Sequence, residues 1–171
     1  MLTIGNFDGV HRGHQAVLEN LRLQANRHNL PATVMVFEPM PREFFAPDNA
    51  PARLSSLREK LSDLRDAGAD RVVCLRFDRQ LASMSPEAFV QDLLVGQLGA
   101  KFVAVGDDFR FGSKRAGDYD LLQRMGETLD FSVSRMQTLE SGDSRVSSSL
   151  VRQSLAVGQP EVAAELLGRP Y

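Results

Sequence analysis

An α/β fold, a doubly wound parallel sheet of about five strands, is predicted by three observations. Strand-like and helix-like segments alternate along the chain, the pattern of a parallel sheet covered on both faces. With 171 residues, 43% of them hydrophobic, the chain suffices for one sizeable core and leaves little room for a second. The chemically unusual loops all follow strands, whereas loops at the opposite end, such as Ala67-Gly68-Ala69-Asp70, are short and ordinary. Ligands of such sheets collect beyond the carboxyl ends of the strands, where strand order reverses.

Each element has its own local reason. Leu2-Thr3-Ile4 is apolar and β-prone, and Gln15 to Asn29 has helical periodicity. Ala32 to Phe37 is the second strand; a proline-rich connection and a helix near Ser56 to Ala67 follow. Arg71 to Leu75 is the third strand, and Ser85-Pro86 opens a helix with a capping serine and a proline suited to the first helical position. Lys101 to Val105 is the fourth strand, Asp118 to Thr128 a helix and Phe131 to Met136 the fifth strand. Ser147 to Gly168 reads as two short helices divided at Gly158 and Pro160. One domain over residues 1–157 is expected, with 158–171 a terminal helix and the start of a linker.

Between the first strand and helix stands Gly5-Asn6-Phe7-Asp8-Gly9-Val10-His11-Arg12-Gly13-His14. Glycines let backbone approach a ligand, a helix start presents unpaired N–H groups, and His11 and His14, three apart, share a face. Taken alone, the pair also fits a surface feature or two metal ligands, although a third ligand is needed and Asp8 is the only local candidate. The second strand leads into Phe37-Glu38-Pro39-Met40-Pro41-Arg42-Glu43-Phe44-Phe45, in which Pro39, Pro41 and Phe45 either stiffen a connection or form a rigid apolar wall. The long connection from Glu38 to Arg53 suits a lid. After the fourth strand comes Gly106-Asp107-Asp108-Phe109-Arg110-Phe111-Gly112; one phenylalanine should plug the core, leaving the other to cover a planar ligand. Ser147-Ser148-Ser149 reads as a helix cap, with Arg152 one turn inside and within reach of an anion.

Composition narrows the partners. A net charge of −2 with scattered basic residues offers no continuous surface for nucleic acid. The lone cysteine, Cys74, lies in an apolar run and reads as a small buried core residue; no disulfide can form within the chain. No apolar run approaches a membrane span and nothing at the start suggests export, so a cytoplasmic protein with no membrane partner is expected.

His-x-Gly-His after Gly-x-Phe-Asp resembles the signature of the nucleotidyltransferases. With Phe37-Glu38-Pro39-x-Pro41, the loop from Gly106 to Gly112, the serine motif with Arg152 and the closing Leu166-Leu167-Gly168-Arg169-Pro170-Tyr171, nearly the whole chain resembles the bacterial bifunctional riboflavin kinase/FMN adenylyltransferases, or FAD synthetases. The resemblance implies a Rossmann-like nucleotidyltransferase fold and transfer of AMP from ATP to FMN, giving FAD and pyrophosphate. It implies that His11 and His14 bind the α-phosphate as catalytic groups, with Gly5, Asn6 and Phe7 beside them on ATP. Ser147, Ser148, Ser149 and the catalytic Arg152 hold the leaving pyrophosphate with Mg²⁺, and adenine lies near Gly106. Pro39, Pro41, Phe45 and Phe111 receive the flavin, with Asp108 a polar contact. No protein metal ligand is assigned. The closing motif stands at the threshold of a riboflavin kinase domain whose Gly-Phe-Pro-Thr-Ala-Asn-like motif is not among these residues, so kinase activity is expected to be absent. A cytidylyltransferase, a pantetheine-phosphate adenylyltransferase, a non-catalytic flavin or nucleotide binder and a fragment dependent on the kinase domain are the alternatives.

Overall fold

Strands β1 (Leu2–Ile4), β2 (Thr33–Glu38), β3 (Arg71–Arg76), β4 (Phe102–Gly106) and β5 (Ser132–Met136) form one parallel sheet in the order β3-β2-β1-β4-β5. The computed structural model describes residues 1–106, 108–136, 140–141 and 144–171, with backbone alone at 140–141 and 144–145. Asp107 of the fourth-strand loop lies outside the described residues. The chain starts in the centre of the sheet, winds outward through β2 to β3, then crosses back to β4 and β5. Strand order therefore reverses between β1 and β4, which pair through Leu2 with Val103 and Thr3 with Ala104.

Alternation along the strands divides the core into two layers. Val34, Val36 and Ala104 pack with Leu18, Leu21 and Ala25 of α1 (Arg12–Arg27) and Leu64 of α3 (Leu57–Asp66). Leu2, Ile4, Met35, Val103 and Val105 face the other way, onto Phe89, Val90, Leu93, Leu94 and Leu122. Those residues belong to the π-helical segment Phe89–Gln97, which continues α5 (Pro86–Ala88), and to α6 (Tyr119–Leu129). Central strands buried on both faces need near-continuous apolar runs, which is why β1 is buried at all three residues. A third cluster joins Leu54 to Val151 of α7 (Ser148–Ala156) and to Ala163 and Leu167 of α8 (Pro160–Leu167).

Side-chain caps start several helices, the expected one at Ser85 among them. Ser56 and Glu59 close a capping box at α3, with Ser56 N–H donating to Glu59 Oε2 at 2.7 Å. Asp118 accepts from Leu121 N–H at 2.9 Å and Ser85 from Ala88 N–H at 3.1 Å. Five short features lie outside the sequence prediction: α2 (Pro41–Phe45), α4 (Arg79–Ser83), the 3₁₀ turns Pro47–Asn49 and Ser113–Arg115, and the antiparallel pair β6 (Glu140–Ser141) and β7 (Ser144–Arg145). Cys74 is corrected: it is exposed. The topology makes β3 an edge strand, and toward its end the side shared by Cys74 and Arg76 is exposed, although Val72 on that side packs against the core. Partial burial still pushes the thiol pKa up.

Candidate active site

At the carboxyl ends of β1 and β4 lies a cavity of about 660 Å³. Its walls include the turn after β1, the start of α7, the loop after β4 and part of the connection after β2. The turn is built from strained backbone. Phe7, Gly9 and Val10 all have positive φ, at 47°, 77° and 39°, a region costly for a β-branched residue and held only where surroundings over-determine it.

The restraint comes from distant segments. Asp8, 3% exposed at its side chain, accepts from Leu54 N–H at 3.1 Å and Ser55 N–H at 3.3 Å and is ion-paired with Arg152. Ser55 Oγ accepts from Gly9 N–H at 3.2 Å, and Ser148 Oγ donates to the Asp8 carbonyl at 2.9 Å. Asp8 thus fastens the turn, its carboxylate held by one guanidinium and two backbone amides.

His11 is the N-cap of α1: its Nδ1 accepts from His14 N–H at 3.3 Å. In a neutral ring that bond leaves Nε2 carrying the proton, as a donor. The His14 ring stacks on His11 with centroids 3.6 Å apart and an 18° tilt, and meets Phe7 at 4.8 Å. Both imidazoles line the cavity beside the first N–H groups of α1, which have no acceptor within the helix.

The three serines divide their work. Ser147 caps α7, its Oγ accepting from Leu150 N–H at 3.2 Å; Ser148 secures the turn; exposed Ser149 lines the cavity. Arg152 also lines the cavity, and its Nε donates to the Ala52 carbonyl at 2.6 Å. Its Nη1 has no hydrogen bond among the described residues. Two helix starts, two imidazoles and a guanidinium therefore converge on one space, a favourable arrangement for a polyanion.

Gly5, Asn6, Phe7, Gly106, Asp108 and Pro41 also line this cavity. Three other predicted residues do not. Phe111 is 6% exposed and packs in the core against Phe89, while Phe109, stacked on it at 5.5 Å, reaches the cavity. One ring does plug the core, and it is Phe111; the ring that stands at the cavity wall is Phe109 rather than the expected Phe111. Phe45 is 66% exposed and makes edge contacts with Phe44 and Phe77, away from the cavity lining. Pro39, joined to Glu38 by a cis peptide bond, is half-buried outside the lining, where Phe37 and Met40 stand instead.

A second ionic cluster braces the β2 connection. Arg53 donates to Glu38 Oε1 at 2.6 Å and to Glu43 Oε1 at 2.6 Å, and Glu43 Oε2 accepts from Met40 N–H at 2.9 Å. The Arg53 hydrogen bonds hold the Glu43 carboxyl below its ordinary pKa. Beneath the cluster Lys60 is 1% exposed, and burial depresses its ammonium pKa despite nearby Asp8 and Glu38. The sequence raises Asp8 only as a candidate metal ligand, favours Phe111 over Phe109, and gives no sign of this cluster. Only the Gly-x-Phe-Asp string could have signalled Asp8, since its partners lie more than forty residues away.

Comparison with known proteins gives a consistent relationship. The family model for FAD synthetase matches residues 1–150. Bifunctional riboflavin kinase/FMN adenylyltransferases are 53% identical over 171 residues in Escherichia coli (strain K12), 50% over 169 in Pseudomonas fluorescens and 45% over 170 in Haemophilus influenzae. These alignments cover 99–100% of this chain and 54–55% of each relative, so the chain spans about half the length of the curated relatives it matches. A solved structure described as a macrolide-efflux protein from Streptococcus pneumoniae superposes with a TM-score of 0.84 at 25% identity, over 99% of this chain and 56% of that one. No helix among the described residues is long and apolar enough to cross a membrane. The imidazole turn, the serine helix and the matched family model lead to one conclusion: this chain belongs to the FAD synthetase family.

Proposed function

We propose that this chain is an FMN adenylyltransferase, transferring AMP from ATP to the phosphate of FMN and releasing pyrophosphate. The observation that carries the reading is that His11, His14, Ser149 and Arg152, from opposite ends of the sequence, line the same cavity as Pro41 and Phe109. A phosphate oxygen of FMN, ionised at neutral pH, forms a bond to the α-phosphorus. The bond from that phosphorus to the α,β-bridging oxygen breaks, and its electron pair leaves with pyrophosphate. No general base is required, so catalysis reduces to alignment and charge neutralisation. The imidazoles and the N–H groups of the α1 start meet charge growing on the α-phosphate. Ser147, Ser148, Ser149 and Arg152 border the leaving pyrophosphate; adenine lies near Gly106, with Gly5, Asn6 and Phe7 along the nucleotide. The flavin rests against Pro41 and Phe109, with Asp108 as a polar contact.

Among the described residues no cluster of three or more His, Cys, Asp or Glu side chains could hold a metal. Mg²⁺, if it arrives with ATP, would supply charge neutralisation at the triphosphate, beside Ser149 and Arg152. Residues 1–157 carry the transferase. Residues 158–171, which include α8, follow it. The cavity lies in a protein with a cytoplasmic site of action, with ATP and FMN as partners.

Incubating the chain with ATP, Mg²⁺ and FMN and following FAD by chromatography tests the reading. Stoichiometric FAD and pyrophosphate are expected; nucleotide and flavin binding without either product refutes it. Parallel reactions with CTP, or with pantetheine phosphate as acceptor, test the other transferase chemistries.

A further inference from the structure

The end of the chain grips the back of the phosphate turn. Arg169 Nη1 donates to the Gly9 carbonyl at 3.0 Å, and Arg169 Nη2 pairs with Asp63 of α3 at 2.5 Å. One residue further along the turn, Gln15 Nε2 donates at 2.9 Å both to the Val10 carbonyl and to the Leu167 carbonyl that ends α8. The carbonyls of Gly9 (φ 77°) and of the strained Val10 (φ 39°) are thus both satisfied from behind. His11 follows immediately, and its ring orientation depends on where that backbone stands.

We infer that Arg169 is a positioning residue for AMP transfer. Its planar fork bolts the turn to α3 and so sets His11 and His14, without touching either substrate. This rests on the function proposed above. Arg169 is not among the residues lining the cavity that holds the imidazoles, and two arms of one guanidinium bridge two elements in a way that a single ammonium cannot reproduce. Misplacement of a reacting group by a fraction of an ångström affects turnover more than ground-state binding.

The test compares Arg169→Ala, Arg169→Lys and Asp63→Asn in the full 171-residue chain. Steady-state FAD formation, calorimetric binding of ATP with Mg²⁺, and amide hydrogen exchange by segment are measured together. Arg169→Ala should lower kcat about ten-fold or more while KM for FMN stays within about two-fold. Exchange should quicken in residues 7–14 but not in β2 or β4. Arg169→Lys should recover only part of the loss, and Asp63→Asn should show a smaller loss of the same kind. Unchanged kcat and unchanged exchange in residues 7–14 of folded Arg169→Ala overturn the inference, as does full rescue by lysine. If Arg169→Ala does not fold, Asp63→Asn decides by the same readouts. If the parent chain makes no FAD, the proposed function fails, while exchange in the turn and ATP affinity still decide whether Arg169 sets its geometry.

Discussion

The Nδ1 of His11 is consumed in capping α1, so its removal takes away a cap worth about 0.5–2 kcal/mol as well as a cavity imidazole. His14, which spends its backbone N–H on that cap and its ring in the stack, separates the two effects. His14→Ala should lower kcat about a hundred-fold, the scale of one lost oxyanion donor. Its melting temperature should fall by less than that of His11→Ala, as steady-state assay and thermal melts of both variants would show. Equal loss of fold and activity in His14→Ala would mark a structural histidine. Glu43 governs a different property. Arg53 holds its folded pKa below 4.5, so this stabilisation is complete above pH 4.5 and is lost as pH falls through the folded value. Glu43→Gln should therefore flatten the acid limb of melting temperature against pH below 4.5, leaving the slope near neutrality unchanged.

Elements succeed or fail as units according to how local their causes are. The five strands stand within one residue of their predicted positions at either end, because alternation and apolar runs are local. Ser56, Ser85, Asp118 and Ser147 mark helix starts for the same reason. The loop after β4 shows how a single glycine can control an element. Gly112 has φ 71°, and a Cβ there would stand 2.7 Å from both Cα and N of Pro86. Gly112→Ala should destabilise by roughly 1–3 kcal/mol and raise KM for FMN by displacing Phe109, measurable by urea unfolding and kinetics. What was illegible had non-local causes. Phe109 and Phe111 are indistinguishable as residue types, and only the bridge between Phe111 and Gly117 chooses which ring turns inward. Cys74 sits in a run apolar enough for a central strand, and strand order alone makes β3 an edge. The short helices α2 and α4 span five residues each, too few for a periodic signal or for stability outside their tertiary setting.

At the scale of the whole molecule, the site is closed by contacts between the two ends of the chain. Ser148 with Asp8, Arg152 with Asp8, and Arg169 with Gly9 are separated by 140, 144 and 160 residues. Among the described residues the two core layers on the sheet hold none beyond Met136, so the sheet and the site have different dependencies. A chain ended at Val157 tests this separation. It loses Ala163 and Leu167, 0% and 1% exposed, from the cluster with Leu54 and Val151, and a buried leucine lost is worth roughly 2–5 kcal/mol. It also loses Arg169 and the Leu167 carbonyl held by Gln15. Far-ultraviolet circular dichroism should still report a folded α/β protein, because both sheet layers remain intact. The melting temperature should no longer rise with ATP, since stabilisation of about 2.7 kcal/mol at a hundred-fold excess over Kd requires a turn already in its binding geometry. An ATP-induced rise equal to that of the full chain would show that the imidazole turn holds its strained backbone through Asp8 and Ser55 alone.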